Sequence, residues 1–213
     1  MTGFPHAAFG AELAAALNIE LGAESQHLFT TSRERPARGP VSLTDGRSRV
    51  SVLTGDDTYV LWFGRENRQW AHGDTQDKRL LAEAARAWLA GTALEEMAAR
   101  WPFVKFSELQ LAYERGDALE TQWRIVRRDA SELYREVVEL AAGHPIVSRF
   151  FPTLGHNFLF LPNAFSSETL ASVVLQTPGR FRLWAPNASE PLVEGDAAAV
   201  IAKLAEQLES LEG

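Results

Sequence analysis

Apolar residues fall at Leu119, Trp123, Val126, Ala130, Leu133, Val137 and Leu140, at alternating steps of four and three. Such spacing lines one stripe of an α-helix. Asp117 stands at the N-cap position and Glu120, three residues on, completes a capping-box pattern. Gly143 and Pro145 supply a stop. The pattern predicts a single helix over 117–142, about 39 Å long at ~1.5 Å per residue.

The same reading runs along the rest of the chain. Residues 6–21 predict an amphipathic helix with Phe9, Leu13, Ala16 and Leu17 on its apolar face. Residues 23–40, including RERPARGP, read as irregular surface. From Val41 to His72 the period becomes two, and turns at 55–57 and 64–67 divide it into a three-stranded antiparallel meander. Asp77 caps a helix carrying Leu80, Leu81, Ala84, Trp88 and Leu89, and Thr92 with Glu95 opens a shorter one that Pro102 stops. Residues 103–113 fit a helical face only in part. Pro145 starts a short helix that Pro152 breaks. Strands follow over 155–161, 169–176 and 180–184, with a short edge strand at 191–193. Asp196 caps a last helix whose face is Val200, Leu204, Leu208 and Leu211.

These elements predict an α+β fold of two small antiparallel sheets, each backed by a helix and joined through the long central helix. The expected organisation is a single compact domain over 1–213. Residues 1–100 and 145–213 can be read within it as pseudo-repeated halves around 117–142, since strands, an Asp cap and a helix close both. That motif is also a common local solution.

Composition narrows the function. The chain has 213 residues, 46% hydrophobic and 23% charged, enough to bury roughly 70% of the unfolded surface. It contains no cysteine, which excludes disulfides, thiolate metal sites and cysteine nucleophiles. The start lacks a basic n-region and a continuous apolar core, so no signal peptide is read there. With no apolar run near the ~20 residues of a bilayer span, the expectation is a cytoplasmic protein without membrane association. A net charge of −7 disfavours a general nucleic-acid role, because phosphate binding needs a basic footprint.

Catalytic motifs are absent: no GxGxxG, no phosphate loop, no HExxH, no GxSxG. The histidines have no short spacing that puts two on one helical face, so no metal and no cofactor is expected. The densest stretch is Ser148–Asn157. There Arg149 could hold an anion, His156 could act as acid or base, and Asn157 could assist; a filled helix-to-strand corner explains the same residues without chemistry. Of six tryptophans, Trp88 and Trp123 fall on buried faces. Trp62 and Trp70 flank the 64–67 turn and are the better candidates for a binding surface; packing under the sheet accounts for them at least as well. Arg124 and Arg128 on the outer side of the 117–142 helix could take an acidic partner, although Glu120 and Glu132 stand at i,i+4 pairing distance.

WLAG (88–91), RWPFVKF (100–106), LAYERGDALETQW (111–123), EVVELAAGHP (136–145) and RFFPTLGHNFLF (149–160) together resemble an actinobacterial domain family labelled natural product biosynthesis proteins. The resemblance covers roughly residues 70–210. It implies a link to a biosynthetic gene cluster and carries over no site residue, because the family has no assigned catalytic residues. Members often place Ser before the histidine matching His156; Gly155 stands there in this chain, which weighs against a Ser–His pair. The leading expectation is a non-catalytic binding protein, accessory to natural-product biosynthesis or neutralising a partner protein. The alternative is a small enzyme or metabolite-binding protein with a site near Arg149 and His156.

Overall fold

The structure is a computed structural model that describes residues 9–22, 25–31, 40–55, 57–66, 68–163 and 166–211. Residues 6–8 of the expected first helix and 33–39 of the arginine-rich segment lie outside the described residues. The fold is α+β with two antiparallel sheets of six and five strands. The chain forms two compact units, Met1–Glu114 and Arg115–Gly213.

The first unit runs α1 (Phe9–Leu21), β1 (Thr30–Thr31), β2 (Val41–Thr44), β3 (Ser48–Thr54), β4 (Tyr59–Arg65), β5 (Arg68–Thr75), α2 (Lys78–Leu89), α3 (Leu94–Arg100), β6 (Val104–Lys105) and α4 (Glu108–Arg115). Strands β1 to β6 pair in chain order, each antiparallel to the next. Period-two alternation turns Val50, Val52, Leu61 and Phe63 to one side, where Leu81, Ala84, Ala85 and Trp88 of α2 bury with them. Full burial of each large apolar side chain is worth about 1.5–3 kcal/mol. Asp77 caps α2, its carboxylate accepting from the N–H groups of Arg79 and Leu80 at 2.8 and 3.1 Å. Gly73 lets β6 approach: a Cβ there would sit 2.5 Å from the Phe103 carbonyl oxygen.

The second unit runs α5 (Ala118–Asp129), α6 (Glu132–Gly143), a 3-10 turn (Val147–Arg149), β7 (Phe151–Leu154), β8 (Phe158–Leu161), β9 (Ala171–Thr177), β10 (Arg180–Trp184), β11 (Val193–Gly195) and α7 (Ala197–Glu209). Its five strands also pair strictly in chain order. Phe158, Phe160, Val173, Phe181 and Leu183 bury with Val137 and Val138 of α6 and Val200, Leu204 and Leu208 of α7. Asp196 caps α7 by accepting the Ala199 N–H at 2.9 Å.

The expected single helix over 117–142 is two helices, both inside the second unit. Ala130 (φ −61°, ψ 125°) and Ser131 (φ −62°, ψ 161°) are extended, and Ser131 takes the N-cap position of α6. Two extended residues reset the rotation of the stripe. Leu133 and Leu140 are therefore 48% and 41% exposed, while Tyr134, Val137, Val138 and Ala141 are buried. Asp117 makes no side-chain cap bond. The short helix expected from Pro145 is a 3-10 turn over Val147–Arg149 that ends before Pro152; Pro152 itself sits in β7, an edge strand, where its missing N–H costs no ladder bond. Residues 103–113 divide into β6 and the start of α4. The Thr92 capping box does not form, and the Glu114 carboxylate accepts the Leu94 N–H instead, at 3.0 and 3.2 Å. Leu211 is 53% exposed rather than part of the last helix's buried face.

The two units share one order: a helix, a five-stranded meander, an Asp-capped helix. It spans α1 to α2 in the first and α6 to α7 in the second. The registers also correspond. Ser51 faces Trp62 and Ser172 faces Trp184, each beside an inward pair, Val52–Leu61 and Val173–Leu183.

Candidate functional site

Trp62 lies on the face of the first sheet turned away from α2. The register places Ser42, Ser51, Trp62, His72 and Lys105 in one row across five strands. The next row holds Thr44, Arg49, Gly64 and Gln69. Trp62 is half-buried by its neighbours and Arg49 is exposed.

A cleft of about 600 Å³ opens at this end of the face, lined by Arg47, Arg49, Trp62, Gly64, Arg65 and Arg68 among others. Two turns form its rim. The Glu66 N–H donates to the Arg47 carbonyl at 3.0 Å and ties them together. Asp45 organises the first turn, accepting from the N–H groups of Arg47 and Ser48 at 2.8 and 2.6 Å. The bond from Ser48 is the main reason its carboxyl is held below the usual range. Gly64 forms floor: a Cβ there would meet the Arg68 carbonyl oxygen at 2.9 Å.

The four arginines differ. The Arg65 guanidinium lies 4.5 Å from the Trp88 ring centroid and 5.4 Å from that of Trp70. Arg68 lies 4.9 Å from the Tyr113 ring. Cation–π contacts thus hold these two. Arg47 and Arg49 are exposed and make no side-chain hydrogen bond or ion pair among the described residues. Among the described residues Glu66 is the one carboxylate lining the cleft, against four arginines, on a chain of net −7.

The second unit has a cleft of about 610 Å³ that brings Arg124 and Arg128 together with Trp123, Arg127, Glu120 and Glu139. Its cations are already engaged. Arg127 donates to both oxygens of Glu139, at 3.1 and 2.5 Å. Arg128 donates to Asp129 at 2.8 Å, rather than to Glu132 as expected. Arg124 donates to the Thr121 hydroxyl at 3.1 Å. The hydrogen bond from Arg127 holds the Glu139 carboxyl below its usual range, and that from Arg128 does the same for Asp129. Trp123 is core, donating its indole N–H to the Ser148 carbonyl at 2.9 Å and meeting Phe158 edge-on.

Trp70 is not a surface ring. It is 7% exposed, donates to the Arg65 carbonyl at 3.1 Å and tilts against Tyr113. At the 148–157 corner Phe150 and Phe151 are buried, and the Tyr134 hydroxyl donates to the His156 carbonyl. The His156 side chain is exposed on the β7–β8 turn. Arg149, His156 and Asn157 line neither cleft. Among the described residues no group of three His, Asp or Glu side chains could hold a metal ion, and no helix is long and apolar enough to cross a membrane.

Trp62, expected as a candidate binding residue, lies on the outer face of the first sheet, and Arg47 and Arg49 beside it were not among the expected residues. The available signal was the Asp45–Gly46 turn beside the alternating Arg47, Arg49 and Ser51, which points all three to the face of Trp62. No protein-family model, no curated protein and no solved structure matches the chain.

Proposed function

We propose that the protein is a non-catalytic cytoplasmic binding protein, accessory to natural-product biosynthesis or neutralising a partner protein, and that it binds through the outer face of the first sheet. One observation carries this reading: Trp62 stands on that face beside a cleft with two arginines unpaired among the described residues. Tryptophan and arginine lead the residues that dominate binding energy at protein interfaces. The enzyme alternative at Arg149, His156 and Asn157 draws no comparable support, since those residues line neither of the two clefts described above.

The test is Trp62→Ala. Its ring is half-buried on a sheet face, so the variant should remain folded. Wild-type protein used as bait in an extract of its host should retain a partner stoichiometrically, and Trp62→Ala should lose it. Arg182→Ala, on the second sheet, serves as control. Equal retention by Trp62→Ala and wild type would remove the face from consideration.

A further inference from the structure

Resting on that reading of the face, we infer that the cleft takes an acidic, extended segment of the partner protein. A carboxylate is held by Arg47 and Arg49, and an adjacent apolar side chain lies on Trp62. Arginine matches a carboxylate because its planar fork donates two parallel N–H bonds. Arg47 and Arg49 are the cations of this cleft that no ring or carboxylate of the described residues engages. Arg65 and Arg68 also line the cleft but stay stacked on Trp88 and Tyr113, so the donors offered to a ligand are those of Arg47 and Arg49, and ordering these two side chains is the cost of binding.

The layout suits a chain. Arg49 faces Gly64 while Trp62 faces Ser51. Arg49 and Trp62 are therefore diagonal neighbours on one face, roughly 7–8 Å apart. Consecutive residues of an extended segment point to opposite sides, whereas residues two apart share a side about 6–7 Å apart. An acidic and an apolar residue at that separation would reach Arg49 and Trp62 together. Gly64 carries no side chain between them, which lets a backbone lie close. Charge decides between a short acidic segment and a nucleic acid. A polyanion running beyond the cleft would meet a protein of net −7, while a segment of a few residues stays within the positive patch.

The experiment titrates the full-length, isotope-labelled protein with a short synthetic oligoglutamate peptide carrying one central phenylalanine. Shifts should appear at the Trp62 indole and at backbone amides of 44–69, and weaken as salt rises. The double variant R47E/R49E should bind roughly ten- to hundredfold more weakly, the scale of losing one or two charge-assisted hydrogen bonds. R47A/R49A guards against misfolding of the reversal and should weaken binding in the same direction. Three results would overturn the inference: no binding, equal binding by R47E/R49E, or shifts centred on α5 and α6. Tighter binding of a single-stranded oligonucleotide at the same amides would replace the acidic segment with nucleic acid. The extract experiment separates the two levels. A partner lost with Trp62→Ala but kept by R47E/R49E leaves the face standing and removes the acidic segment; one kept by both removes the face as well.

Discussion

Trp70 shows how one residue's fate escapes a pattern. Phe63 pairs with Ala71, but Gly64 pairs with Gln69, so Trp70 is the extra residue of a bulge. A bulge lets two successive side chains bury on one side, and Trp70 and Ala71 both do. Strict alternation cannot anticipate this, whereas Trp62, upstream of the bulge, keeps its expected place. Tyr134 makes a related point. Its hydroxyl donates to the His156 carbonyl at 3.1 Å and accepts the Leu175 N–H at 3.2 Å. Partners so distant in the chain leave no local signature. Tyr134→Phe keeps the ring and strands the Leu175 N–H, so denaturant unfolding should show a loss of about 1–3 kcal/mol. An unchanged midpoint would mean that water replaces the hydroxyl at no cost.

At the scale of elements, caps were legible where the side chain alone decides the matter. Asp77 and Asp196 each precede an apolar period, and both accept N–H bonds from the first turn. Asp117 carried the same signature and caps nothing. The difference yields a paired prediction. Asp196→Ala should cost about 1 kcal/mol, and Asp117→Ala should stay within about 0.5 kcal/mol of wild type, both read from chemical denaturation. The break at Ala130–Ser131 was hidden for another reason. Trp123, Val126, Ala130 and Val137 are all buried, so the expected stripe holds at four of its positions although the helix restarts within it. Leu133 and Leu140, out in solvent beyond the break, betray the new phase, while Leu119 is exposed ahead of it. Strand β7 was missed because Pro152 reads as a stop unless its edge position is known, and edge position belongs to the sheet rather than to the segment.

For the whole molecule, the α+β class and the helix-backed sheets followed from periodicity, while the boundary at Glu114 and Arg115 did not. No run of proline, glycine or serine marks it, since α4 continues through it to Arg115. Each unit has its own buried cluster. A fragment covering Arg115–Gly213 should therefore fold alone, with a single cooperative thermal transition and dispersed amide shifts; a fragment with neither would show that its core is incomplete. The arginine cleft is built wholly from the first unit. In both sheets every strand also hydrogen-bonds only to those next to it in the chain. Such local pairing closes short loops and favours rapid folding. During synthesis from the N-terminus, Arg47, Arg49 and Trp62 would find their places while the second sheet is still untranslated, giving the nascent chain a working surface before it is finished.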